Sequence, residues 1–193
     1  HFFSITINCL IKRAQVEGET VKRSRVNEII IEAIEIISSY GFHLPKFAYW
    51  SPNDFVSQKH IAGKIISARY GWDITDFGEN DFDNTGLTLF TLRNGYPSDL
   101  KNGQGMCYAE KLLLSKKNQV TPLHTHVSKV EDIINRNGAN LIVKLYGSTE
   151  IGTLDPKKGG KIFLDGIPYN FLPGEKIKLS PGESITLLPG DWH

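Results

Sequence analysis

The sequence predicts a mainly β domain with its helices gathered near the N-terminal end. Three observations carry that expectation. From residue 87 onward, short runs of β-forming residues are each closed by a turn dipeptide. Clear helical spacing of apolar residues occurs in one stretch, ahead of those runs. A His-x-His pair sits within the β-rich part, and a spacing of two puts both imidazoles on one face of a strand.

In chain order, Ser24 is suited to cap a helix whose apolar positions are Val26, Ile29, Ile30, Ala33, Ile37 and Tyr40. Gly41 is suited to end it, and Glu28, Glu32 and Glu35 fall on its other sides. Pro45 and Pro52 then break the chain into an irregular, aromatic-rich stretch over 47–55. A weaker helix is expected near 53–62, and the stretch 73–85 is acidic and turn-rich. Strands are expected over 87–92, 107–114, 141–146, 161–164, 176–179 and 184–188. Asn94-Gly95, Asn137-Gly138, Gly159-Gly160, Asp165-Gly166, Pro173-Gly174 and Pro181-Gly182 punctuate them. Regularly punctuated short strands indicate a sandwich or barrel. No βαβ alternation, Gly-rich phosphate loop or Gly-x-Ser-x-Gly elbow is present, and no internal repeat is visible.

At 193 residues the chain is long enough to bury a core without disulfides. The formal charge of +1, from 22 basic and 21 acidic residues, gives no bulk attraction to nucleic acid or to a membrane surface. Cys9 and Cys107 make no disulfide framework, so a reducing, cytoplasmic setting is expected. No apolar stretch approaches the roughly 20 residues of a bilayer span. The apolar stretch 2–11 is followed, not preceded, by Lys12 and Arg13, the reverse of a secretory signal.

The chemistry concentrates in His124, His126 and Glu131, with His193 at the last position after Pro189-Gly190. Three imidazoles and one carboxylate suit a divalent transition metal that keeps positions open. Glu131 follows a short bend and can return to the face of the two histidines. The turn at Pro189-Gly190 opens a later stretch that can lie beside the first. His1, His43 and His60 have no such setting and are expected at the surface or in packing.

The run His124-x-His126-x4-Glu131-x6-Gly138 resembles the first cupin motif, and Gly190-x2-His193 the core of the second. Asn118 stands where the first motif opens with Gly, and Asn is the next-best residue for a left-handed turn. A narrower resemblance adds to this. The stretches 86–95, 108–111, 119–126, 129–136 and 181–186, together with 71–78 and the helix from Lys22, are similar in order and register to the D-lyxose isomerase family.

The resemblance covers residues 22–193 and implies a cupin jelly-roll barrel, a double-stranded β-helix, with N-terminal helices packed outside. Residues 1–21 lie outside it, as an extension that is either disordered or not native to the family. The activity implied is a metal-dependent aldose–ketose isomerisation of D-lyxose to D-xylulose. It would run through an enediolate stabilised by a divalent metal, usually Mn²⁺, though Fe, Co, Ni or Zn fits the same donors. By the same resemblance His124, His126, Glu131 and His193 are the metal ligands. Lys111 and Lys129 match family lysines that face the sugar, where an ammonium can neutralise developing oxyanion charge. The family's proton-shuttling carboxylates lie beyond its second motif, so the general base is expected past His193 and the domain is expected to be cut short there. Glu110 and Asp132, close in sequence to the site, are expected to orient ligands or hold the fold. A homodimer is expected from resemblance. The same four donors also suit an iron-dependent dioxygenase, and a non-catalytic sugar-binding cupin is a further alternative.

Overall fold

The computed structural model describes residues 2–7, 21–103 and 105–193. Strand β1 is Phe2–Ile7 and helix α1 is Arg23–Ser39. A 3₁₀ turn at Lys46–Tyr49 leads to α2 (Pro52–Ser57) and α3 (Lys59–Ser67). Then follow β2 (Gly71–Thr75), β3 (Leu87–Asn94), α4 (Pro97–Lys101), β4 (Ala109–Leu114) and β5 (Glu131–Asn137). The remaining elements are all strands. They are β6 (Leu141–Lys144), β7 (Gly147–Ser148), β8 (Leu154–Asp155), β9 (Gly160–Leu164), β10 (Ile167–Phe171), β11 (Lys176–Leu179) and β12 (Ser184–Leu187). Strand therefore outweighs helix, and the helices precede most of the strands.

The N-terminal helix forms for the expected reason. Ile29, Ala33 and Ile37 recur at helical spacing and are buried on one stripe. Its start differs from the expectation. Lys22, not Ser24, occupies the capping position, and no side chain caps the helix. The single helix expected over 53–62 is two helices that break at Gln58. The first begins with a reciprocal cap, in which Asp54 N–H donates to Ser51 Oγ at 3.3 Å and Ser51 N–H donates to Asp54 Oδ2 at 2.8 Å.

Eight strands hydrogen-bond in the order β10-β9-β12-β5-β1-β4-β3-β2, and two further pairs, β11-β6 and β7-β8, stand apart. Every pairing between named strands is antiparallel. Among the described residues the eight-strand order does not close on itself. Side chains alternate across a pleated sheet, so the register sorts its two faces. On one face Phe90, Leu92, Leu112 and Leu114 pack with Ala33, Ile37, Leu44 and Ala48 of the helical segment. On the other, Ile133, Ile185, Leu187 and Ile162 pack with Val143, Leu145, Ile177 and Leu179, so the β6-β11 ladder lies over β5, β12 and β9. Each half of the sheet thus has its own cover, and burial of these apolar side chains is the main favourable term in holding the layers together.

Several strands form where no strand was expected, β2, β5, β7, β8 and β10 among them. In β5, Asp132, Asn135, Arg136 and Asn137 are poor strand formers, yet the strand forms because β1 and β12 flank it. In β10, Pro168 lacks an N–H, a tolerable loss because β10 is an edge strand. The expectation for residues 1–21 falls mainly on residues outside those described. Of them, Phe2–Ile7 forms the strand between β4 and β5.

Candidate metal centre

Glu131 is the first residue of β5 and faces the side of the sheet covered by β6 and β11, since it opposes Leu187 and is two residues from Ile133. His124 and His126 do not lie on a regular strand, contrary to the expectation. The stretch 121–126 is held instead by strand-like bonds to the chain's last residues. His124 N–H donates to His193 O and His193 N–H donates to His124 O, both at 2.9 Å. Gly190 N–H donates to His126 O at 2.9 Å. Gly190 has φ +91°, a left-handed conformation that favours glycine, so the Pro-Gly turn lays the final residues beside the His-x-His stretch. Asn118, at φ +63°, takes the left-handed turn expected of it.

These contacts bring the four predicted residues together. One donor atom from each of His124, His126, Glu131 and His193 lies within 4.8 Å of every other. His126 Nε2 is 2.5 Å from Glu131 Oε2, and His193 Nε2 is 3.7 Å from the same oxygen. The imidazole pairs are 4.3 to 5.5 Å apart between ring centroids. His124 Nδ1 lies 3.0 Å from Pro122 O, and His193 Nδ1 lies 3.2 Å from Asp191 O. The His124 and His193 rings therefore each spend their Nδ1–H on the carbonyl two residues earlier, which leaves their Nε2 lone pairs for the cluster.

A metal ion fits the donor set. His126 Nε2, His193 Nε2 and Glu131 Oε2 are buried and make no aligned hydrogen bond, despite the short distances between them. Converging lone pairs without protons between them repel, and a cation at their meeting point removes both the repulsion and the missing partners. The protonation states agree with this. Burial pushes His193 down to about 4, with His124 adding to the effect. His124 is also lowered by burial, against the pull of its bond to the Pro122 carbonyl. Burial alone would raise Glu131, but the His126 imidazole and the Lys129 ammonium beside it outweigh that and hold it well below the usual carboxylate range. Near neutrality His124 and His193 are thus neutral imidazoles and Glu131 a carboxylate, the forms that ligate.

Lys129 is almost fully buried, and its Nζ lies 3.1 Å from Glu131 Oε2. Lys111 is half-buried on β4. Ile5 of β1 opposes Lys111 on one side and Ile133 on the other, so Lys111 shares the sheet face of Glu131. Its strand lies two spacings, about 10 Å, from β5. Glu110 and Asp132 both oppose Thr6 and so belong to the other face. Asp132 there accepts a 2.7 Å bond from Thr186 Oγ1. Of the histidines outside the cluster, His43 and His60 are exposed as expected, and His1 lies outside the described residues. Sequence reasoning missed the carbonyls of Pro122 and Asp191 as anchors, although their common offset of two from a histidine is a readable signal. It also missed the depth of Lys129, which a charged residue in a polar loop does not advertise.

The fold and the cluster together define a mainly antiparallel β protein with a buried three-histidine, one-carboxylate centre able to hold a metal ion. A family profile described as D-lyxose isomerase matches residues 21–193, and the chain belongs to that family. It is 40% identical over 159 residues to a D-lyxose/D-mannose isomerase of Serratia proteamaculans, an alignment that covers 82% of this chain and 68% of that protein. It is 44% identical over 133 residues to a D-lyxose/D-mannose isomerase of Escherichia coli O157:H7, covering 66% of this chain and 56% of that one. The chain thus spans a little over two thirds of the first relative and over half of the second.

Proposed function

We propose that this protein is a metal-dependent aldose–ketose isomerase acting on D-lyxose and D-mannose. The substrate class is supported by the family and by the names of both relatives. The chemistry is carried by one observation, the convergence of three buried donor atoms that lack aligned partners. His124, His126, Glu131 and His193 are the proposed ligands, and Mn²⁺ is the proposed ion. When bound, a divalent cation supplies Lewis acidity at the sugar oxygens on C1 and C2, countering the negative charge that develops as the C2 proton leaves. The isomerisation is a net transfer of hydrogen from C2 to C1 and from O2 to O1, so it needs no oxidant.

The chain's own residues set the geometry. The Pro122 and Asp191 carbonyls fix two imidazole planes. Lys129 neutralises Glu131 in a buried site as an ion pair, and an ammonium has three donors, of which that pair occupies at most one. The others are proposed to reach a sugar hydroxyl. Lys111, on the same sheet face, is the second proposed sugar contact. The proton carrier is proposed to be a carboxylate outside the cluster, because Glu131 is engaged and Glu110 and Asp132 serve the opposite face. A cupin jelly roll is the proposed architecture, supported by the β6-β11 ladder covering the face that carries Glu131. The protein is further proposed to act in the cytoplasm as a homodimer, which light scattering of the purified protein would test. Among the described residues no helix is long and apolar enough to cross a membrane.

The deciding experiment incubates Mn²⁺-loaded protein with D-lyxose and, separately, D-mannose. D-xylulose and D-fructose are the expected products. Absence of both ketoses at full metal occupancy would overturn the assignment.

A further inference from the structure

The last residues of the chain form the middle of three stretches that run side by side. On one flank they bond to His124 and His126, as described above. On the other, Tyr146 N–H donates to Trp192 O at 3.0 Å and Trp192 N–H donates to Tyr146 O at 2.9 Å. That backbone pairing stops at Tyr146, and a side chain continues it. The Trp192 ring N–H donates to Ser148 Oγ at 3.1 Å, and Ser148 Oγ donates to Gly190 O at 2.5 Å.

One hydroxyl therefore accepts from residue 192 and donates to residue 190. It braces the turn on both sides of Asp191, whose carbonyl holds His193 Nδ1. The brace is itself fixed. Lys158 Nζ donates to Ser148 O at 2.8 Å, and Gly147 N–H donates to Lys158 O at 2.8 Å. Ser148 is not among the four cluster residues, and its hydroxyl bonds reach toward them through residues 190 and 192.

We propose that Ser148 is a positioning residue of the metal centre, its hydroxyl holding residues 190–193 so that His193 Nε2 stays at the meeting point of the donors. The inference rests on His193 being a ligand, as proposed above. Groups that orient a ligand from behind typically alter metal affinity by about 10–100-fold when removed. Loss of the hydroxyl also strips a partner from the Trp192 ring and from the Gly190 carbonyl.

The test compares the parent protein with Ser148→Ala, Ser148→Thr, Thr153→Ala and His193→Ala. Mn²⁺ affinity is read by chelator competition, the ligand field by Co²⁺ absorption, and folding by thermal melts of the metal-free protein. Thr153 is the control. It lies in the same β7-β8 hairpin and shares a hydroxyl contact with Thr149 rather than with residues 190–193. Ser148→Ala is expected to weaken Mn²⁺ about 10–100-fold and to shift the Co²⁺ bands, Ser148→Thr to recover most of the affinity, and Thr153→Ala to stay within about twofold of the parent. Parent-like affinity and Co²⁺ bands in Ser148→Ala would overturn the proposal, as would equal weakening in Thr153→Ala. If Ser148→Ala does not fold, Trp192→Phe is read in its place, since it keeps the ring and removes the N–H. Unchanged affinity there overturns the proposal and weakened affinity supports it. Parent-like affinity in His193→Ala overturns the ligand assignment itself. Lost affinity in His193→Ala beside parent-like Ser148→Ala overturns the positioning role alone.

Discussion

Lys129 and Glu131 are the residues whose disturbance should show most clearly. Both are almost fully buried, and each is the other's counter-charge. Glu131→Gln keeps the shape and removes the charge, which strands a buried ammonium. A loss of about 3–5 kcal/mol is expected from breaking one side of such a pair. Urea titration would measure it, and elemental analysis of the same sample should find the metal gone. His124→Ala strands no charge, so it should lose metal while keeping the circular dichroism of the parent. Retained stoichiometric metal in both variants would remove them as ligands. Acid should act on the same cluster. The folded His193 value, about 4, lies below the ordinary 6.5. The unfolded chain therefore binds more protons between those limits, and stability rises with pH there. Glu131 is lowered too, so its contribution is present above 4.5 and fades as pH falls below that. Both signs agree. The metal-free protein should melt highest above pH 6.5 and lose on the order of 3 kcal/mol by pH 4 from His193 alone. A flat melting profile across that range would contradict the buried, neutral imidazole.

The longest helix carries a deficiency that can be repaired. Lys22 caps α1 in an extended conformation with no side-chain bond, and the first turn holds no acidic residue. A cation at that end also opposes the helix dipole. Lys22→Asp should raise stability by about 0.5–2 kcal/mol, read as a higher melting temperature without loss of metal binding. The cap also marks where sequence reasoning stopped short. Ser24 has the right side chain for a cap, but the chain turns helical one residue ahead of it, and side-chain chemistry alone does not fix such a boundary. The runs at 87–92, 161–164, 176–179 and 184–188 were legible because Leu, Ile, Phe and Thr gather there in short runs between turn dipeptides. β5 was not, because its partners β1 and β12 lie far along the chain, and β10 was not, because Pro168 and Asn170 are poor strand formers, although its partner β9 is the adjacent strand of a hairpin. Asn135 illustrates the point. Its side-chain amide is fully buried and donates to Leu179 O at 2.9 Å, from 44 residues away. An asparagine that reads as a turn residue in isolation here ties β5 to the end of β11.

At the scale of the molecule, the proposed metal centre is also a clasp. It joins the start of β5, the irregular stretch before it and the final residues of the chain, which are otherwise linked by a few backbone bonds. The donor residues themselves were legible because their spacing is local. Their convergence was not, because it depends on a 69-residue separation between His124 and His193, closed by the chain's return over the sheet. A ligand that needs all three stretches in place binds the folded state alone, so its free energy adds to stability. At free metal 100 times the dissociation constant the gain is about 2.7 kcal/mol. For a domain of this size that corresponds to roughly 5–11 °C in melting temperature. Chelation should therefore lower the melting point by about that amount, and Mn²⁺ should restore it. The control is His193→Ala, in which one leg of the clasp is missing. Its melting temperature should no longer respond to chelator or to Mn²⁺. An equal response in parent and variant would place the stabilising ion somewhere other than this cluster.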